Sequence, residues 1–103
     1  MTETDILAAI LARITQIPGV LAWRNNSGMF FTATGRAVRA SVPGAADIIG
    51  VCRGRFIALE VKTQTGRQSP SQRNYQAAVE RAGGVYALVR SPAEALEILE
   101  AIP

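Results

Sequence analysis

Histidine is absent from this chain of 103 residues, and cysteine occurs once, as Cys52. The first absence removes Ser-His-Asp and Cys-His nucleophilic centres, histidine-ligated metals and nucleases that use a histidine base. The second leaves no intrachain disulfide and no thiolate metal cluster, so Cys52 reads as a small buried apolar residue. Lysine is nearly absent too: ten of the eleven basic residues are arginines, and Lys62 is the exception. Any acid–base or metal chemistry must therefore be built from carboxylates, amides, tyrosines and this one lysine. No apolar run approaches the ~20 residues that span a membrane, so no membrane partner is expected. The opening Thr2-Glu3-Thr4-Asp5 is acidic where a secretory leader needs a basic segment, and a cytoplasmic setting follows as the expectation.

What is present is a globular composition, 49% hydrophobic, of a length that suits one domain over residues 1–103. Its charges are unevenly placed. Between residues 6 and 79 the acids are Asp47 and Glu60 alone, among Arg13, Arg24, Arg36, Arg39, Arg53, Arg55, Lys62, Arg67 and Arg73. A basic field of this kind suits a polyanion such as nucleic acid, and it equally describes a solvated arginine-rich surface.

Residues 3–16 carry Ile6, Leu7, Ile10, Leu11 and Ile14 at helical spacing, with Thr2 and Asp5 able to cap the start and Pro18-Gly19 to stop it. Val20 to Arg24 reads as a strand. Met29–Ala33 and Arg36–Ala40 read as hairpin arms around Thr34-Gly35. After Pro43-Gly44 come two apolar runs, Asp47–Val51 and Arg55–Lys62, joined by a turn at Arg53-Gly54. Ser69-Pro70-Ser71-Gln72 opens a helix to about Ala82, with a cap serine, proline in the first turn and glutamine at the third position. Val85–Val89 is a further strand, and Ser91-Pro92 starts a last helix. The order predicts a mixed α/β domain.

Alternate side chains of a strand share a face, so Glu60 and Lys62 point one way and Val61 the other. A tight turn at Arg53-Gly54 folds the two runs antiparallel and brings Asp47, at the start of one, beside Glu60, at the end of the other. Two facing carboxylates repel unless a cation lies between them. Mg²⁺ or Mn²⁺ suits such an oxygen-rich pair, with the Val61 carbonyl as a third ligand and Lys62 aimed at a coordinated water or a phosphate oxygen. An isolated E-x-K triplet is as readily a solvent-facing pair on a fraying strand end. Here it follows a buried run, faces an aspartate and holds the sole lysine.

Gly44-Ala45-Ala46-Asp47-Ile48-Ile49-Gly50, Ile57-Ala58-Leu59-Glu60-Val61-Lys62, Ser69-Pro70-Ser71-Gln72 and Ala82-Gly83-Gly84-Val85, in this order over residues 20–91, resemble the VRR-NUC family of the PD-(D/E)XK nuclease superfamily. Small stand-alone versions of that family are common in phages, which would place the protein in a bacterial host cell. The resemblance implies a restriction-endonuclease-like αβββαβ core, a mixed sheet flanked by helices, and dependence on Mg²⁺ or Mn²⁺. It also implies cleavage of DNA phosphodiesters, often in branched DNA such as four-way junctions or flaps. Matched by position, Asp47 and Glu60 are metal ligands, Lys62 is the catalytic lysine, and Gln72 supports the site. One departure is Ala46, where the family's motif has proline; it loses a rigid turn and no ligand.

Superfamily nucleases also draw an acid from the first helix. Glu3 precedes Ile6, Leu7 and Ile10 by three, four and seven positions, on the inward face, and is the candidate metal ligand there. A first-turn acid favoured by the helix dipole explains it as well. Gln72 likewise satisfies a capping box by itself. Candidate DNA contacts are Arg24, Asn26 and Ser27 in the polar turn 24–28, together with Arg36, Arg39, Arg53 and Gln76. Tyr75 is expected in the core, and Trp23 and Phe30-Phe31 in the core or a subunit contact. A domain this small covers little DNA alone, so a symmetric homodimer is expected. A nuclease-like fold that grips nucleic acid without cutting it is the alternative, and docking of the apolar last helix on a partner is a third.

Overall fold

The structure, a computed structural model, describes residues 1–26, 29–39 and 42–103, without the side chains of Met29, Phe30 and Arg39. Helix α1 (Glu3–Ile14) begins at a reciprocal cap: the Asp5 N–H donates to the Thr2 hydroxyl at 3.1 Å, and the Thr2 N–H donates to Asp5 Oδ2 at 3.0 Å. It stops two residues short of the expected end. The Thr15 hydroxyl turns back to donate to the Leu11 carbonyl at 2.7 Å, and the Gln16 N–H bonds Arg13 in a tighter turn.

The strands β1 (Val20–Arg24), β4 (Ile48–Cys52), β5 (Arg55–Val61) and β6 (Val85–Val89) form one mixed sheet in the order β1-β4-β5-β6. The first two pairings are antiparallel, and β5 with β6 is parallel. The short strands β2 (Met29–Phe31) and β3 (Ala37–Arg39) pair antiparallel as a separate ribbon. Helix α2 (Pro70–Arg81) makes the crossover from β5 to β6, and α3 (Pro92–Glu100) follows. The described residues thus form a mixed α/β fold of one four-stranded sheet, one ribbon and three helices. With the ribbon left aside, the order is α-β-β-β-α-β and a closing helix.

Strand parity divides the interior. Ala22, Ile48, Cys52, Ile57, Leu59, Val61 and Val89 face α1 and α3, where Ile10, Ile14, Ala95 and Leu99 complete the main core. Cys52 lies fully buried there, as expected. Ala58 and Tyr86 face α2 and meet Ala46 and Val79, with Tyr75 edge-on to Tyr86 at 6.1 Å between ring centres. Covered on both sides, β5 is buried from Ile57 to Val61. The apolar stripe of α3 is used against α1 and the sheet, so it does not form the free docking surface that the sequence left open.

Helix α2 packs over the β5–β6 side and leaves the β1–β4 side of its face open. Of the aromatic side chains expected in the core or a subunit contact, Trp23 comes out there, 48% exposed, and Phe31 on the ribbon, 72% exposed. Leu21, Val51 and Phe56 are cross-strand neighbours on the open face, and all three are exposed. Among the described residues no helix is long and apolar enough to cross a membrane.

Candidate active site

The β4–β5 hairpin turns at Arg53-Gly54, where Arg53 (φ 48°) and Gly54 (φ 87°) both take the left-handed conformation that a two-residue hairpin turn demands. Its register pairs Ile48 with Leu59, so Asp47 and Glu60 are the next residues along the two strands. The Asp47 carboxylate accepts a hydrogen bond from the Val61 N–H at 2.8 Å through Oδ2. That bond extends the ladder with a side chain and fixes the aspartate beside Glu60.

Glu60 is 3% exposed, a carboxyl group in the most buried part of the sheet. Its Oε2 accepts from Gln72 Nε2 at 3.1 Å and lies 3.7 Å from the Lys62 ammonium. Its Oε1 is buried and has no hydrogen-bond partner among the described residues. Desolvation above all, then the neighbouring Asp47 charge, push this carboxyl from 4.5 up to about 8. Glu3 adds to the rise, and Lys62 opposes it without overcoming it. The site thus favours a protonated Glu60 over a second bare carboxylate beside Asp47.

Local geometry explains how α2 delivers Gln72. Ser69 caps the helix, accepting from the Gln72 N–H at 3.2 Å, and Gln72 Oε1 accepts from the Ser69 N–H at 2.8 Å. The carbonyl end of the side chain closes the capping box while the amide end reaches Glu60, so both roles open to it in the sequence are filled. Gly44 sets the helix against the strand. It has φ 75°, and a Cβ there would stand 2.2 Å from the Ser71 carbonyl oxygen.

Asn25, read in the sequence only as part of the polar turn 24–28, has a role there that was not foreseen. Its backbone N–H donates to the Asp47 carbonyl at 2.8 Å, and its Nδ2 to the Ala46 carbonyl at 3.1 Å. It clamps the segment that carries the aspartate. The signal was its place directly after β1, which becomes meaningful only once β1 is known to pair with β4.

A cleft of about 120 Å³ opens beside Asp47 and Val61, lined also by Glu3, Thr4, Leu7 and Arg24. The first turn of α1 therefore brings Glu3 to the same end of the sheet as the strand carboxylates. Among the described residues no three acidic, histidine or cysteine side chains stand close enough to cage an ion by themselves. A divalent cation there would take Asp47 and Glu60, the Val61 carbonyl and water, with Glu3 at the rim. The crowded carboxylates and the unpartnered Oε1 fit a hard cation.

The candidate DNA contacts separate. Arg24 lines the cleft, and Asn26 is exposed just beyond β1. Arg36 is exposed beside the ribbon; Ser27 and the Arg39 side chain lie outside the described residues. Arg53 is at the opposite end of β4, where its Nη1 donates to the Leu99 and Ile102 carbonyls at 3.2 and 3.0 Å and holds the C-terminal end of α3. Gln76 accepts from Gln68 Nε2 at 2.8 Å and donates to Glu80, so its amide is engaged within the protein. Both residues thus make internal bonds, to backbone carbonyls and to neighbouring side chains, that the sequence did not signal.

No protein-family model matches this chain, and no curated protein matches it.

Proposed function

We propose that this protein is a divalent-metal-dependent DNA endonuclease of the VRR-NUC type. The observation that carries the reading is Glu60: a buried carboxyl with an unpartnered oxygen, beside Asp47 and within 3.7 Å of the chain's one lysine. A site built for stability alone would have no reason to force these groups together, because each costs desolvation energy. The αβββαβ order, with the pair at the adjoining ends of its second and third strands, supports the same reading.

Asp47, Glu60 and the Val61 carbonyl would hold Mg²⁺ or Mn²⁺, with Glu3 adding negative charge at the rim. Such an ion supplies Lewis acidity, polarising a phosphate oxygen and acidifying a bound water. The protein's own part is positional and electrostatic. Gln72 fixes the Glu60 carboxylate through Oε2. Lys62, 14% exposed, presents an ammonium that stabilises charge gathering on the attacked phosphate. Arg24, at the cleft wall, meets the neighbouring backbone phosphate, with Arg36 further out. Branched DNA is the proposed substrate class. A homodimer is the proposed assembly, supported by the apolar strip of Leu21, Val51 and Phe56 with Trp23, which a monomer leaves in water.

A second reading is a nuclease-like module that binds nucleic acid without cutting. The want of a three-carboxylate cage among the described residues favours it. Cleavage of labelled four-way junction, flap and linear duplex DNA in Mg²⁺ or Mn²⁺, with Lys62→Ala in parallel, separates the two. Metal-dependent cuts that vanish in the variant are expected. Tight binding with no cutting in either metal would leave the binding module.

A further inference from the structure

Parallel pairing of β5 with β6 sets Val61 opposite Val89, and one step further the Lys62 N–H donates to the Val89 carbonyl at 3.0 Å. Arg90 therefore emerges alongside Lys62. Its half-buried guanidinium turns back over the segment that follows the lysine: Nη1 donates to the Thr63 carbonyl and, at 2.9 Å, to the Gly66 carbonyl. Residues 63–66 form a tight turn closed by the Gly66 N–H on the Thr63 carbonyl at 3.2 Å. The arginine thus binds both ends of one turn. Gly66 faces the aliphatic stem of the lysine, since a Cβ there would lie 3.2 Å from Lys62 Cδ and 3.3 Å from its Cβ.

We infer that Arg90 is a positioning residue for Lys62: it pins the 63–66 turn, and Gly66 in that turn backs the lysine stem so that the ammonium stays over Glu60. A lysine side chain is long and rich in rotamers, and its contact with Glu60 at 3.7 Å is too long to immobilise it unaided. The packed turn supplies the constraint. This inference rests on the nuclease reading for the purpose of the lysine, and on the contacts alone for how it is held.

The solitary lysine makes the test direct. The rate at which Lys62 is acylated by a water-soluble active ester, resolved from the N-terminal amine by peptide mass mapping, reports how freely the side chain leaves its place. No metal or DNA is needed. Arg90→Gln is expected to raise that rate about tenfold, the change that ~1.4 kcal/mol of lost restraint produces. Gly66→Ala, whose added methyl meets a flexible stem, is expected to keep the fold and shift the ¹³Cε resonance of the lysine. In the cleavage assay Arg90→Gln is expected to lower kcat with little change in KM, and Arg90→Lys to restore part of it.

Acylation unchanged in a folded Arg90→Gln protein would overturn the role of Arg90, and an unmoved lysine resonance in Gly66→Ala would overturn that of Gly66. If Arg90→Gln fails to fold, the Lys62 acylation rate of Arg90→Met, read in the same way, decides the role of Arg90. A wild-type protein that cuts no DNA while these lysine signals move as expected would reject the nuclease reading and leave the clamp in place.

Discussion

Replacing Glu60 by glutamine removes one charge from a buried site and keeps the shape and the bonds around it. The amide oxygen still accepts from Gln72 Nε2, and the neutral amide removes the repulsion with Asp47. In the metal-free wild type the Glu60 carboxyl is pushed from 4.5 up to about 8. Between those values the folded protein holds a proton that the unfolded chain has released, so unfolding becomes easier as pH rises. The stabilisation is complete below 4.5 and is lost on passing up to about 8. Its ceiling is about 5 kcal/mol at ~1.4 kcal/mol per pH unit, and relaxation with water entry into the adjoining cleft reduces it to about 2–3 kcal/mol. For a domain of this size that corresponds to a fall in Tm of about 10–20 °C. Thermal melts followed by circular dichroism at about pH 5.5 and about pH 8.5, with chelator present, measure it. Wild type is expected to lose stability toward the alkaline condition, Glu60→Gln to stay nearly level, and the variant to be the more stable at high pH. Equal pH slopes for the two proteins would refute the reasoning, because Glu60 would then not be the group that titrates.

The remaining expectations concern the same end of the sheet and its open face. Mg²⁺ or Mn²⁺ should raise the wild-type Tm at high pH, where Glu60 ionises, and raise that of Glu60→Gln far less; calorimetric melts with and without metal check this. Gly44→Ala places a methyl 2.2 Å from the Ser71 carbonyl oxygen at a φ of 75°. It should cost at least about 1–3 kcal/mol by urea titration and weaken metal binding through the shifted Gln72. Asn25→Ala removes the bond to the Ala46 carbonyl and should cost about 1–2 kcal/mol in the same titration, with a larger loss of cleavage than of fold. Leu21→Ser with Trp23→Ser should convert a homodimer to monomer in sedimentation velocity, and an unchanged sedimentation coefficient would place the subunit contact elsewhere.

Helix starts were legible because a cap is a bargain struck within four residues. Thr2 with Asp5, Ser69 with Gln72 and Ser91 with Glu94 each satisfy the first turn from neighbouring atoms. The β4–β5 hairpin was legible for the same reason: Arg53-Gly54 turns the chain, and strand parity then sets Asp47 beside Glu60. Even the double use of Gln72 could be framed in advance, although its reach to Glu60 depends on where α2 lies. Arginine roles were not legible. A guanidinium donates to whatever acceptors surround it, and for Arg53 these are carbonyls 46 and 49 residues away, at the end of α3. Arg55 is spent in the same manner on the Gly83 carbonyl, beyond the end of α2. Trp23 was read as a core or contact residue, and the core is the alternative that falls away, because α2 crosses to the β5–β6 side and leaves it uncovered.

By itself, then, the sequence determined the order of elements, their caps, the hairpin that pairs two carboxylates, and the chemistry open to a chain with no histidine and a single lysine. These rest on covalent neighbours and on side-chain period, which hold whatever the rest of the chain does. The tertiary structure decided which groups gather at that end of the sheet: Glu3 from α1, Gln72 from α2, Asn25 just after β1 and Arg90 just after β6. Their distances along the chain give no local signal. Their meeting follows from the parallel crossover through α2 and the antiparallel docking of β1, which are chosen by burial of one sheet face on α1 and α3 and of the β5–β6 side of the other on α2.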